Sequence, residues 1–154
     1  MIIEEIKREL ELGVRSFLEA QKRSQAQSID EFEETQILEA AFNRLFLSVE
    51  HTINGLVLME TGNFSPKHFG DLKKLKELKN KYSIDFFRVY EETYTFRSYG
   101  DYRKFPQIKE NFNRKTLNLE IIKVQKIILE VLMIISLKIN LTYLTERIQT
   151  NLNK

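Results

Sequence analysis

Two stretches of the chain carry residues whose types and spacing could act on a phosphate. The first is a basic stretch, in which Arg97, Arg103, Lys104, Lys109, Arg114 and Lys115 alternate with Tyr99, Tyr102, Phe105 and Phe112. Cations of this kind track phosphates, and aromatic rings stack on the bases of single strands. The competing reading is a solvated loop whose rings pack into the body of the protein. Within this stretch Arg97 and Asp101 stand four residues apart, a spacing at which a helix closes a local ion pair worth about 0.3–0.5 kcal/mol. The second stretch is Arg44 to His51, which satisfies the pattern R-x(6)-H. On a straight helix these two side chains share one face but lie about 10.5 Å apart along the axis. That is too far for both to touch one phosphate group. Arg44 is therefore expected to reach a carboxylate on a neighbouring helix, such as Asp101 or Glu91, and His51 to be a hydrogen-bonded packing residue. His68 follows Pro66 in the first turn of a helix, where it either packs its ring or helps to hold an anion.

Composition narrows the chemistry. The 154 residues contain no cysteine, so thiolate metal sites, disulfides and cysteine nucleophiles are excluded. Two histidines on separate segments, without a tight carboxylate cluster, imply neither a metal nor a cofactor. No Gly-rich phosphate loop is present. A net charge of +2 is compatible with nucleic acid but does not argue for it. The N-terminus lacks the apolar core of a signal peptide, and charges interrupt residues 119–144, the most apolar stretch, so no membrane span and a cytoplasmic protein are expected.

The elements that position these residues read as helices throughout. Ile3, Ile6, Leu10, Val14, Phe17 and Leu18 recur at spacings of three and four over residues 2–26. Ser28 and Glu31 fit a capping box opening a second helix over 30–60, which Gly62 ends in a left-handed cap. Ser65 and Pro66 open a third, over 66–80, bearing a lysine cluster that includes Lys79 and Lys81. Ser83 caps a fourth over 84–96, rich in aromatic residues. Residues 97–115 read as irregular, and one last helix spans 116–149. The expected fold is an all-α, up-and-down bundle of four to five helices forming a single domain over 1–154. In the last helix Leu119, Ile122, Leu129 and Ile134 point in several directions. A helix apolar on more than one face calls for a second partner surface, which favours a homodimer or a complex with another protein.

The order of these segments resembles that of a known family. Asn43-Arg44, His51, Leu56 to Leu58, His68 and the run Arg97-Ser98-Tyr99-Gly100-Asp101-Tyr102 are similar to the A-x-N-R-x-Y-Y-A-x-x-H and R-x-x-x-D-Y patterns of small stand-alone HEPN (higher eukaryote and prokaryote nucleotide-binding) proteins. The resemblance extends from the first helix to the last, with Leu45-Phe46 in place of the usual aromatic pair. It implies a dimeric helical bundle that binds nucleotide or RNA. The implied partner is a minimal nucleotidyltransferase, in a module of the toxin–antitoxin type. Many active members are metal-independent ribonucleases carrying R-x(4–6)-H before the final helix. At the matching place this chain has Arg97, then Asp101-Tyr102, and no histidine.

On that basis Arg97, Asp101 and Tyr102 are the candidates for weak ribonuclease chemistry. Arg97 would stabilise charge on the scissile phosphate and Tyr102 would stack on or hydrogen-bond a base or ribose. Asp101 would orient Arg97 or stand in for the missing base, for which an ordinary aspartate, titrating near 3.9, is poorly matched. Arg44, His51, Arg103 and Lys104 are the candidates for nucleotide or RNA binding, and two copies of the basic loop would line one cleft in a dimer. The alternative is a non-catalytic helical dimerisation or interaction module, in which the same residues tie the end of the fourth helix to the core.

Overall fold

In a computed structural model, the structure describes residues 2–62 and 72–152. Among them are six α-helices and no strand: α1 (Ile2–Ser24), α2 (Glu31–Thr61), α3 (Leu72–Tyr82), α4 (Phe86–Tyr102), α5 (Arg114–Ser136) and α6 (Thr142–Leu152). A 3-10 helix, Pro106–Asn111, lies between α4 and α5. The all-α expectation holds, although the helices outnumber the four to five read from the sequence. Ser65, Pro66 and His68 lie outside the described residues.

The centre of the bundle is α2, which packs against α1, α4 and α5. Its apolar residues face three neighbours, so Phe42, Leu45, Phe46, Ile53 and Leu56 are all buried. The α1–α2 contact is the closest. Gly13 lies against α2, its carbonyl accepting a 2.7 Å hydrogen bond from the Ser48 hydroxyl. A Cβ at Gly13 would stand 2.5 Å from Thr52 Oγ1 and 3.2 Å from the Ser48 carbonyl oxygen. Small residues at this crossing let the backbones approach until the flanking large side chains, Leu10, Val14 and Phe17, are sealed in.

Several boundaries differ from the sequence reading. The cap of α2 is Asp30, not Ser28: its carboxylate accepts from Glu33 N at 2.8 Å, while the Ser28 hydroxyl donates to Glu34 instead. The Glu33 carboxylate reaches back to Ile29 N at 3.4 Å, so the reciprocal cap forms two residues later than expected. At the other end Gly62 adopts the expected left-handed conformation, with φ 78°. Asp85, not Ser83, caps α4 by accepting from Arg88 N at 3.0 Å. Ser83 has φ 57° and its N–H closes onto the Lys79 carbonyl at the end of α3.

Two larger corrections concern the C-terminal half. Residues 97–102, expected to be irregular, complete α4. The Arg97–Asp101 pair and the Tyr99 ring against Phe112, 4.8 Å between centroids, continue the helix past Gly100. The last helix is broken. After Ser136 the chain turns, Asn140 Oδ1 accepts from Thr142 N at 3.2 Å, and α6 folds back. The turn buries Ile139, Leu141, Leu144 and Ile148 against the bundle, where α6 meets α1 and α5. No described helix is long and apolar enough to cross a membrane.

Gly13→Ala tests the close crossing. Overpacking at such a contact costs about 1–3 kcal/mol, offset by up to about 1 kcal/mol of better helix propensity. The expected result is a lower urea midpoint with an unchanged slope. Undiminished stability would mean that the α1–α2 spacing is not set by this residue.

Candidate functional site

Asn43 of the first motif meets Arg97 and Asp101 of the second on the face between α2 and α4. Arg97 Nε donates to Asp101 Oδ2 at 3.1 Å, one turn along α4. From α2, Asn43 Nδ2 donates to the same oxygen at 3.4 Å. The Arg97 guanidinium lies over the Phe46 ring, 5.1 Å from its centroid. Both Arg97 and Asp101 are partly buried, so their mutual attraction is screened less than that of a surface pair. The arrangement holds the guanidinium between a carboxylate and a ring, a geometry suited to presenting a fixed cation to a phosphate. Asp101 accepts from both donors through one oxygen, which makes it the group that positions Arg97.

An aromatic layer supports this pair. Phe46 packs against Tyr90 and Tyr94 at 5.5 and 5.8 Å between centroids. Phe42 stacks on Phe96 at 4.8 Å and on Phe112 at 5.1 Å. Burial, with the neighbouring Glu50 and Tyr94, pushes the Tyr90 phenol up to about 12, against the pull of Arg97. Tyr90 therefore stays protonated at any working pH and serves as packing.

The remaining candidates separate. Tyr102 ends α4 with its side chain 66% exposed, and Lys104 Nζ stands 5.7 Å from its ring. Arg103 folds back over the end of α4 while staying half-exposed. In the left-handed cap position, it donates to the Tyr99 and Gly100 carbonyls at 2.9 and 2.7 Å and to Glu39 at 2.8 Å. Arg114 pairs with Glu34 at 2.6 Å. Thus three of the arginines in the basic stretch are neutralised within the chain. Lys104, Lys109 and Lys115 have no ion pair among the described residues.

Arg44 and His51 face α1 instead. Arg44 pairs at 3.1 Å with Glu19, not with Asp101 or Glu91. His51 Nδ1 lies 2.6 Å from Glu9 Oε2, which also accepts from Asn54. The helix α2 thus sends Asn43 towards α4 but Arg44 and His51 towards α1, and the structure does not bring the histidine to Arg97. In the lysine cluster, Lys79 pairs with Asp85 and Lys81 with Glu60, which also accepts from the Tyr82 hydroxyl. Among the described residues no group of three or more His, Asp or Glu side chains is placed to hold a metal ion.

One polar cluster escaped the sequence reading. Glu120 on α5 is only 5% exposed, although it sits in an apolar helix. Lys123 Nζ is 3.2 Å from Glu120 and 3.6 Å from Glu92 of α4. Glu120 Oε2 has no hydrogen-bond partner among the described residues. Burial raises the Glu120 carboxyl above the usual glutamate range and Glu92 adds to the rise, while Lys123 opposes it. The available signal was periodicity: Glu120 occupies an inward position between Leu117 and Val124.

A carboxyl whose pKa is raised on folding contributes its stability below its unfolded value, and that contribution is lost as pH rises through the folded one. Glu120→Gln removes this loss. Thermal melts should show the variant more stable than the parent at pH 8, with the difference shrinking towards pH 4. A variant less stable at pH 8 would mean that Glu120 acts as an ionised partner of Lys123.

Compared with known proteins, the chain matches no family model, no curated protein and no solved structure.

Proposed function

We propose that the chain is an HEPN-like nucleotide- or RNA-binding protein, acting as a homodimer with a minimal nucleotidyltransferase partner in a module of the toxin–antitoxin type. The observation that carries this reading is the meeting of Asn43, Arg97 and Asp101, which come from two separate family-like motifs and share one carboxylate oxygen. In it Arg97 takes a phosphate, Asp101 positions Arg97, and the exposed Tyr102 stacks a base, with Lys104 alongside. Arg103 supports the site from within by closing the end of α4.

The geometry favours binding over cutting. A general base should be within hydrogen-bond reach of the proton it takes and titrate near the working pH. Asp101 is committed to two donors, and His51 is held by Glu9 on the α1 side of α2. A second reading, a non-catalytic helical interaction module, is favoured by the ion pairs that neutralise Arg103 and Arg114.

The test is fluorescence anisotropy with a labelled oligoribonucleotide, and calorimetry with ATP. Arg97→Ala should weaken binding at least tenfold, a loss of about 1.4 kcal/mol. Tyr102→Ala should lose about 1–3 kcal/mol if it stacks one base. Both variants should keep the parent's helical circular dichroism. A parent chain with no affinity for either ligand, or an unaffected Arg97→Ala, would leave the interaction module. RNA incubated with the parent in EDTA should remain intact, and cleavage lost in Arg97→Ala would instead make the site a nuclease.

A further inference from the structure

The outer face of α5 and its C-terminal cap carries apolar side chains that no described element covers. Leu119, Ile122, Met133 and Leu137 are between 52% and 85% exposed. With Lys126 and Glu130 they fall on one stripe, at steps of three and four residues, about 27 Å long. Lys126 and Glu130 interrupt the stripe at its middle. Neither makes an ion pair among the described residues, although they stand one turn apart on the same helix. Beside them a groove of about 350 Å³ opens between α4 and α5, floored by Val89 and Ile127.

The stripe reads nearly the same in both directions. About Ile128, Leu119 mirrors Leu137 and Lys126 mirrors Glu130, while Met133 stands one residue from the position that mirrors Ile122. We propose that a second copy of this chain occupies this face, with the two α5 helices antiparallel across a two-fold axis near Ile128. The proposal rests on the homodimer in the reading above and names its surface. A two-fold interface presents the same patch twice, so each residue must suit its mirror position. Here the apolar ends of the stripe lie against apolar ends, with Ile122 and Met133 offset by one residue, and each Lys126 meets the partner's Glu130 on either side of the axis. A partner of another sequence would have no reason to match that order.

The axis has a consequence for the site. Arg114, where α5 begins, lies about 21 Å from the axis along the helix, so the two 103–113 connections sit at opposite ends of the pair. Each chain's Arg97–Tyr102 face is then complete in itself, and two copies of the loop do not share one cleft.

Sedimentation of the full chain tests the interface. The parent should be a dimer at micromolar concentration. Ile122→Glu combined with Met133→Glu should be a monomer of unchanged helicity, because both positions are exposed. Lys126→Glu alone and Glu130→Lys alone should each weaken pairing at least tenfold, since like charges then face each other. Mixing these two variants should restore the dimer. A monomeric parent, a dimer that survives Ile122→Glu with Met133→Glu, or a mixture as weak as its components would overturn the proposal. Oligoribonucleotide affinity measured on the same samples separates the two readings. A monomer that binds through Arg97 overturns only the interface, and a dimer without affinity overturns only the ligand.

Discussion

The close approach of α1 and α2 sets the geometry on which the rest of the bundle depends. Gly13 and Gly55 add no side chain of their own, so Thr52 seats against the first and Leu10 against the second, and the Ser48 hydroxyl satisfies a carbonyl that the crossing would otherwise strip of water. With that spacing fixed, α2 has one face closed by α1 and the remainder open to α4 and α5. A helix surrounded in this way is apolar on most of its circumference, which explains why α2 buries residues at nearly every register position between Leu45 and Leu58. Most of the polar groups that α2 carries inward are bonded, Asn43 towards α4 and Asn54 and His51 towards α1, while Thr52 Oγ1 has no partner among the described residues.

Charge is distributed by the same logic. The arginines are largely consumed within the chain, where a planar guanidinium can join two elements or close a helix end. Arg103 does both, bonding two carbonyls of α4 and Glu39 of α2. Arg114 joins the start of α5 to Glu34 of α2 and to the Ser24 carbonyl at the end of α1. The lysines near them remain in water. Any polyanion approaching this end of the bundle therefore meets lysines and three partly exposed guanidinium groups already paired with carboxylates, those of Arg97, Arg103 and Arg114. Two features are fixed at this end, the Arg97 guanidinium over the Phe46 ring and the exposed ring of Tyr102.

Against this economy the outer face of α5 stands apart. Among the described residues Ile29, Phe32 and Tyr143 are exposed as well, but α5 carries the longest such row. On α5 a row of apolar side chains and two unpaired charges share one stripe. Its inner face holds the reverse case, a carboxyl buried in an apolar setting beside Glu92 and Lys123. The two faces of one helix thus carry opposite departures from ordinary burial.

Periodicity alone was enough to read an all-helical chain, because Ile6, Leu10, Val14 and Phe17, and later Leu45, Val49, Ile53 and Leu56, repeat at the helical spacing whatever they pack against. The left-handed end of α2 at Gly62 was legible for a similar local reason: few residues other than glycine accept that conformation at low cost. The pairing of Arg97 with Asp101 was legible as a spacing. Its two further contacts were not, since Asn43 and Phe46 lie on another helix. Which of several nearby residues caps α2 or α4 depended on how the preceding chain enters, so Asp30 and Asp85 displaced the serines. The break after Ser136 had no glycine or proline to announce it; it exists because Leu141, Leu144 and Ile148 gain burial against α1 and α5 only if the chain turns back. Local pattern determined that helices form and where apolar stripes run. Tertiary structure decided which stripes are covered, which charges meet, and where a helix must stop, because those outcomes depend on neighbours distant in sequence.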